Sequence, residues 1–188
     1  MKMTKKKSGL CILACVLSFA AHAEYQVLRL PPLVVGEQLP EGWTGHKPAH
    51  LERIEGSHEV VEVEGQTILR LTKNNFDSVL MVQTEVDLPD DQQTLELGIR
   101  SRVPEIELPT ELPGRNRFRA GVVFLDESGE EISGTFPQIA IGEVQSDWEM
   151  ATREYRVPHD AVRVRLSFQM LNCTGVWEIQ GAGIRVKP

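Results

Sequence analysis

Apolar and polar residues alternate with a period of two over most of the chain. Over 162–171, Val162, Val164, Leu166, Phe168 and Met170 fall in one phase, and Arg163, Arg165, Ser167 and Gln169 in the other. Successive side chains of a strand point to opposite faces, so the first row reads as core and the second as surface. The same alternation predicts strands over 25–30, 58–64, 67–72, 78–88, 93–103, 117–126, 148–157 and 175–186. Turn-forming clusters separate them, among them "EGQ" at 64–66, "DESGEE" at 126–131, "VPHDA" at 157–161 and "NCTG" at 172–175. No window holds a useful helical repeat. "DWEMATREY" admits one, but it lies between an acidic turn and Val157-Pro158 and reads as strand. Many strands joined by short turns imply an all-β fold, a two-sheet antiparallel β-sandwich of jelly-roll type. One connection is long and stiff: "PEIELPTELPGRN", 104–116, with three prolines, expected to be functional or to cover an edge.

The alternation begins only after residue 23. "MKMTKKKSG" carries four lysines, "LCILACVLSFA" is an apolar run too short to span a bilayer, and "AHA" supplies small residues at a cleavage point. Residues 1–23 therefore read as a secretory signal peptide cut after Ala23, leaving a single domain over 24–188. A lipoprotein with Cys15 as acceptor is the alternative; Leu13 and the short run before Cys15 argue against it. No other segment is apolar enough to span a membrane, so the expected location is periplasmic or secreted.

Export changes the charge. Four of the 20 basic residues and none of the 27 acidic ones lie in 1–23, so the remainder has 20 − 4 = 16 bases against 27 acids. An acidic chain is a poor partner for nucleic acid or anionic membranes. Cys11 and Cys15 leave with the signal, so Cys173 stands alone and reads as a packed residue. The "NCT" sequon carries little weight in a chain whose signal looks bacterial.

"LPEGWTG", then "ILRLT" and "MVQTEVDLPDDQQTLELGIRSRV", then "VVFLDESGEEI" and "WEMATREYRVPHDAVRVRLSFQMLNCTGVWEIQGAGIRV" follow one another in a telling order. This order resembles the carbohydrate-binding-module-like jelly rolls of the galactose-binding-domain-like group that accompany secreted glycoside hydrolases. The resemblance runs from Leu39 to the end and implies a sugar-binding role. In that family the closing strand commonly carries an Asp-Asp-Val whose carboxylate helps hold a structural calcium ion. Here the place reads "IQGAGI", without a carboxylate, so no cofactor is expected.

Arg100, Arg102, Arg117, Arg119, Arg163 and Arg165, with Gln169, all fall in the polar phase of their strands. Placed on adjacent strands, they would form one surface of planar donors suited to glycan hydroxyls or to an acidic sugar such as a uronate. The competing reading pairs them with Glu96, Glu149, Glu154 and Glu178 on a wet face. Sugar sites usually add an aromatic platform. Phe76, beside Asn75 in the 73–78 loop, is the best placed. Trp43 reads as a plug over the sandwich end, Trp148 and Trp177 as core, and Tyr155 as packed with its hydroxyl on a backbone partner. His46, His50 and His58 with Glu52, Glu55 and Glu59 match no zinc spacing, and no metal site is expected. No G-x-S-x-G, H-E-x-x-H, phosphate loop or Cys-His pair occurs. The reading is an exported, non-catalytic carbohydrate-binding domain using the arginine face or the loops at 73–78 and 104–116. The alternatives are a protein-interaction domain of the cell envelope and, behind it, a polysaccharide-acting enzyme using Arg100, Tyr155 and a histidine.

Overall fold

The alternating segments pair into two antiparallel sheets. A computed structural model describes residues 26–36, 39, 41–45, 56–76, 78–91, 93–109, 117–134 and 137–187. The signal segment, His46, His50, Glu52, Glu55 and most of the 104–116 connection lie outside the described residues. In chain order the strands are β1 (Gln26–Leu28), β2 (Trp43–Gly45), β3 (Ser57–Val63), β4 (Gln66–Lys73), β5 (Val79–Asp87) and β6 (Thr94–Glu107). They continue with β7 (Arg117–Leu125), β8 (Ile139–Ile141), β9 (Gln145–Arg156), β10 (Arg163–Leu171) and β11 (Thr174–Lys187). The first sheet has the order β3-β4-β11-β6-β9, with β1 added on β11; the second is β2-β5-β10-β7-β8. The fold is an all-β, two-sheet sandwich of jelly-roll type.

The inward rows meet as the alternation requires. Leu95, Leu97 and Ile99 of β6 and Val164, Leu166, Phe168 and Met170 of β10 are fully or almost fully buried. Trp177 of β11 stacks on Phe118, with ring centroids 5.6 Å apart. It meets Phe168 edge-on, also at 5.6 Å. Burying such rings is the largest single contribution to a core of this kind, and the paired geometry adds to it.

Four expectations change. Trp43 opens the edge strand β2, stacks on Phe168 at 5.9 Å, and donates its indole N–H to the Pro31 carbonyl at 3.0 Å. Trp148 is not core: it is half-buried on β9 with the Arg102 guanidinium 4.7 Å from its ring centre. Tyr155 is buried as expected, but its hydroxyl has no hydrogen-bond partner, and burial pushes its pKa up to about 12. Finally, 104–107 is strand rather than loop. Val176 pairs with Glu105 and Glu178 with Arg102, so Val103 and Pro104 together stand opposite Trp177. This bulge places proline where no ladder donor is needed.

One glycine is indispensable. Gly175, at φ +128°, passes so close to β6 that a Cβ would lie 2.1 Å from the Glu105 carbonyl oxygen. No helix among the described residues is long and apolar enough to cross a membrane.

Candidate functional site

The six arginines do not share a face. β6 belongs to the first sheet, β7 and β10 to the second, and the outward rows of the two sheets look away from each other. Arg100 and Arg102 therefore lie on one side of the sandwich, and Arg117, Arg119, Arg163, Arg165 and Gln169 on the other. Alternation fixes the phase of a side chain but not the sheet its strand joins.

On the second sheet the polar row is consumed by its neighbours. Glu85 on β5 accepts from Arg163 Nη1 at 3.1 Å and from Arg165 Nε at 2.9 Å. Arg165 Nη1 donates to Glu131 at 2.7 Å. Arg119 donates to Gln138 at 3.4 Å, and Gln138 lies so close over Gly121 that a Cβ there would sit 2.9 Å from it. Gln169 donates to Ser167 Oγ at 3.0 Å, and Arg117 is engaged as well. In the 73–78 loop, Asn75 Oδ1 accepts the Ser78 hydroxyl at 2.9 Å and Phe76 is half-buried.

The outer face of the first sheet has two zones. In the first, Glu178 of β11 is almost fully buried between two guanidinium groups. It accepts from Arg70 Nη2 at 2.7 Å and Nε at 2.9 Å, and from Arg102 Nε at 2.5 Å. Arg70 also reaches Glu59 at 3.2 Å, and Arg102 reaches Glu64 at 3.6 Å. Burial alone would raise the Glu178 pKa; the hydrogen bonds from Arg102 and Arg70 outweigh it and hold the carboxyl below its ordinary value. The Arg70 pKa is raised, chiefly by its hydrogen bond to Glu178. For Arg102 and Glu178, the ion-paired reading of the row is the one the geometry bears out.

The second zone is an open groove of about 650 Å³. Its floor is glycine: Gly98 of β6 pairs with Gly183 of β11, and Gly181 stands opposite Arg100. A Cβ on Gly181 or Gly183 would meet nothing within 4 Å, so the floor is bare backbone facing open space. Around it stand Gln66, Arg100, Met150, Thr152 and Gln180. At one end Glu96 and Arg185 form an ion pair. Arg100 is exposed and, among the described residues, has no hydrogen-bond or ion-pair partner.

Local irregularity in β11 shapes the groove. Ile179 pairs with Ser101 and Gly181 with Arg100, leaving Gln180 as an extra residue in a bulge. On the opposite side of β11, the β4 ladder covers 175–179 and the β1 ladder covers 184–186. Between them, 180–183 has no strand partner on that side among the described residues. The sheet has a slit there. Of the residues that line this groove, the sequence singles out Arg100 alone; Gly98, Gly181, Gly183, Gln66, Gln180 and Met150 carry no such mark. The available signal was "GAG" at 181–183, which reads at first as a missing carboxylate and not as a floor. Among the described residues no group of three or more His, Cys, Asp or Glu side chains could hold a metal ion.

No family model matches the chain, and no curated protein matches it in sequence. Solved structures do match in fold. The enzymatically active domain of bacteriophage CBA120 tailspike protein 4 superposes with a TM-score of 0.60 at 13% identity, over 78% of this chain and 19% of that one. The CBM22-1–GH10 modules of Clostridium thermocellum xylanase 10B, complexed with xylohexaose, give 0.54 at 17% identity, over 78% and 26%. The CBM22-1–CBM22-2 tandem of Paenibacillus barcinonensis Xyn10C gives 0.52 at 12% identity, over 89% and 47%. The chain thus spans less than half the length of each of these proteins. Two sheets in this order, matched to these structures, show that the chain has the jelly-roll fold that carbohydrate-binding modules also have.

Proposed function

We propose that the protein is an exported, non-catalytic carbohydrate-binding domain that holds a glycan in the groove over Gly98, Gly181 and Gly183. The observation that carries this is Arg100: an exposed cation whose side chain has no partner among the described residues, beside a floor that lets a ligand approach the backbone. A guanidinium presents a planar fork to vicinal hydroxyls or to a carboxylate. Gln66 and Gln180 add amide donors and acceptors, and the exposed Met150 and Val27 side chains offer apolar surface to the face of a pyranose. The resemblance to modules attached to xylan-active enzymes supports a glycan ligand, and the signal-like segment 1–23 supports export. The binding uses protein groups alone, with no metal or cofactor.

The test is a glycan array on residues 24–188, with neutral and acidic glycans both present, followed by calorimetry on the hits. Arg100→Ala should weaken binding on the order of tenfold or more, whereas Arg165→Ala should leave it unchanged. Silence across the array, or equal losses in both variants, would sink the proposal. A silent array with capture of an envelope protein dependent on Arg100 would transfer the groove to a protein partner.

A further inference from the structure

The strand that floors the groove also bounds a second space. A second cavity of about 300 Å³ lies behind the slit in the first sheet, walled by Leu33, Trp43, Leu69 and Phe168. It shares Gln180, Gly181 and Ala182 with the groove, so the two spaces meet at the same stretch of β11. Gln66, at the start of β4, lines the groove, and its neighbour Thr67 lines the cavity. Polar groups at the junction are left open: on the side away from β6, β11 presents backbone N–H and C=O groups at 180–183 that no strand among the described residues pairs, and the buried Gln180 Oε1 meets no donor. A cation outside, hydrogen-bonding groups at the mouth and an apolar chamber behind form a graded site.

We infer that the ligand is an O-acylated acidic glycan: its carboxylate lies on Arg100 and an acyl ester group passes the slit at Gln180–Ala182 into the chamber beside Trp43 and Phe168. This rests on the glycan reading above and names the class of glycan. A neutral, unsubstituted sugar chain can offer hydroxyls to the guanidinium but leaves its charge uncompensated and the chamber empty. A free carboxylate without the ester satisfies Arg100 alone. An acyl group is the substituent that fits, because it combines a short apolar body with a carbonyl that can accept from the open β11 edge. Its carbonyl and the glycan hydroxyls would occupy the unpaired donors and acceptors, and its alkyl part would displace water from the apolar walls.

The experiment compares acetylated glucuronoxylan and acetylated homogalacturonan with the same polymers after mild alkaline deacetylation and after carboxyl reduction. Affinity electrophoresis and calorimetry on residues 24–188 supply the readout. Retention should be on the order of tenfold weaker on the deacetylated polymers, the scale on which an apolar pocket discriminates a small group, and weaker again on the carboxyl-reduced ones. Thr67→Leu, which fills the chamber without entering the groove, should abolish the preference for acetylated polymer while keeping binding to the deacetylated form. Equal binding to acetylated and deacetylated polymers in the wild-type protein overturns this inference and leaves the glycan-binding proposal standing. No retention on any acidic or neutral polymer overturns both.

Discussion

The two outer faces of the sandwich carry the same kind of residue to opposite ends. On the second sheet the guanidinium groups are met by neighbouring side chains: Arg163 by Glu85, Arg165 by Glu85 and Glu131, and Arg119 by the Gln138 amide, while Arg117 is engaged as well. On the first sheet one carboxylate, Glu178, absorbs Arg70 and Arg102, and the next arginine along β6, Arg100, is left over glycine. The difference lies in the floor. A strand with side chains at each outward position gives an arginine something to lean on. A strand reading Gln-Gly-Ala-Gly gives it nothing, so its charge stays available to a ligand. Arginine content therefore says little about function; what stands beside each arginine says much.

Five substitutions would break or sharpen that contrast. Glu178→Gln should have the largest effect, because it leaves two half-buried guanidinium groups facing a neutral amide. The loss should be about 2 kcal/mol, since both arginines keep some solvent. That corresponds to a fall in Tm of roughly 4–8 °C for a domain of this size, read by calorimetry. The same carboxyl sets an acid limit. Its folded-state pKa lies below the ordinary value of 4.5, so its contribution is present above that pH and is lost as pH falls through the depressed value. The acid arm of the stability profile should flatten in the Glu178→Gln protein; an unchanged arm would assign acid unfolding elsewhere.

Arg100→Ala comes next, with the tenfold loss of glycan binding described above and a Tm within a degree or two of the parent. On the opposite face, Glu85→Ala should cost about 0.5–1 kcal/mol, because three partly exposed groups share two ion pairs. It should leave glycan binding untouched, and the loss should shrink in high salt. The smallest effect on the fold should come from Gly181→Val. A β-branched residue suits an extended strand, and the site is open, so stability should stay within about 0.5 kcal/mol or rise. The equivalent change on the second sheet, Gly121→Val, must push Gln138 aside and should destabilise. If Gly181→Val folds normally and still binds glycan at full strength, the glycine floor is not the binding surface.

Much of the fold could be read from the chain because burial imposes a period. Nine of the strands carry enough alternating residues to declare themselves. β2 and β8 do not: unlike the equally short β1, which sits inside the alternating run 25–30, Trp43–Gly45 and Ile139–Ile141 belong to no such run. β6 was cut short at Val103 because proline normally ends a ladder, and only the bulge opposite Trp177 lets the strand run on to Glu107. Trp148 reads as core because aromatic rings seek burial; the Arg102 guanidinium over its ring supplies the cover instead. The site was legible at Arg100 and no further. Its other half is made of absences, glycines and an interrupted ladder, and an absence has no periodicity to detect.

That interrupted ladder makes β11 unusual. It is central to its sheet, yet for four residues it has the character of an edge. Exposed edges invite foreign strands, and proteins generally shorten or block them. Here β4 closes the stretch at one end and β1 at the other, which leaves a berth too short for a second polypeptide to extend a ladder. Those amides within 180–183 that point away from β6 should exchange with solvent far faster than the amides of Trp177–Ile179 that bond to β4. The protein keeps an unpaired stretch in the middle of its sheet that is too short to serve chains like itself.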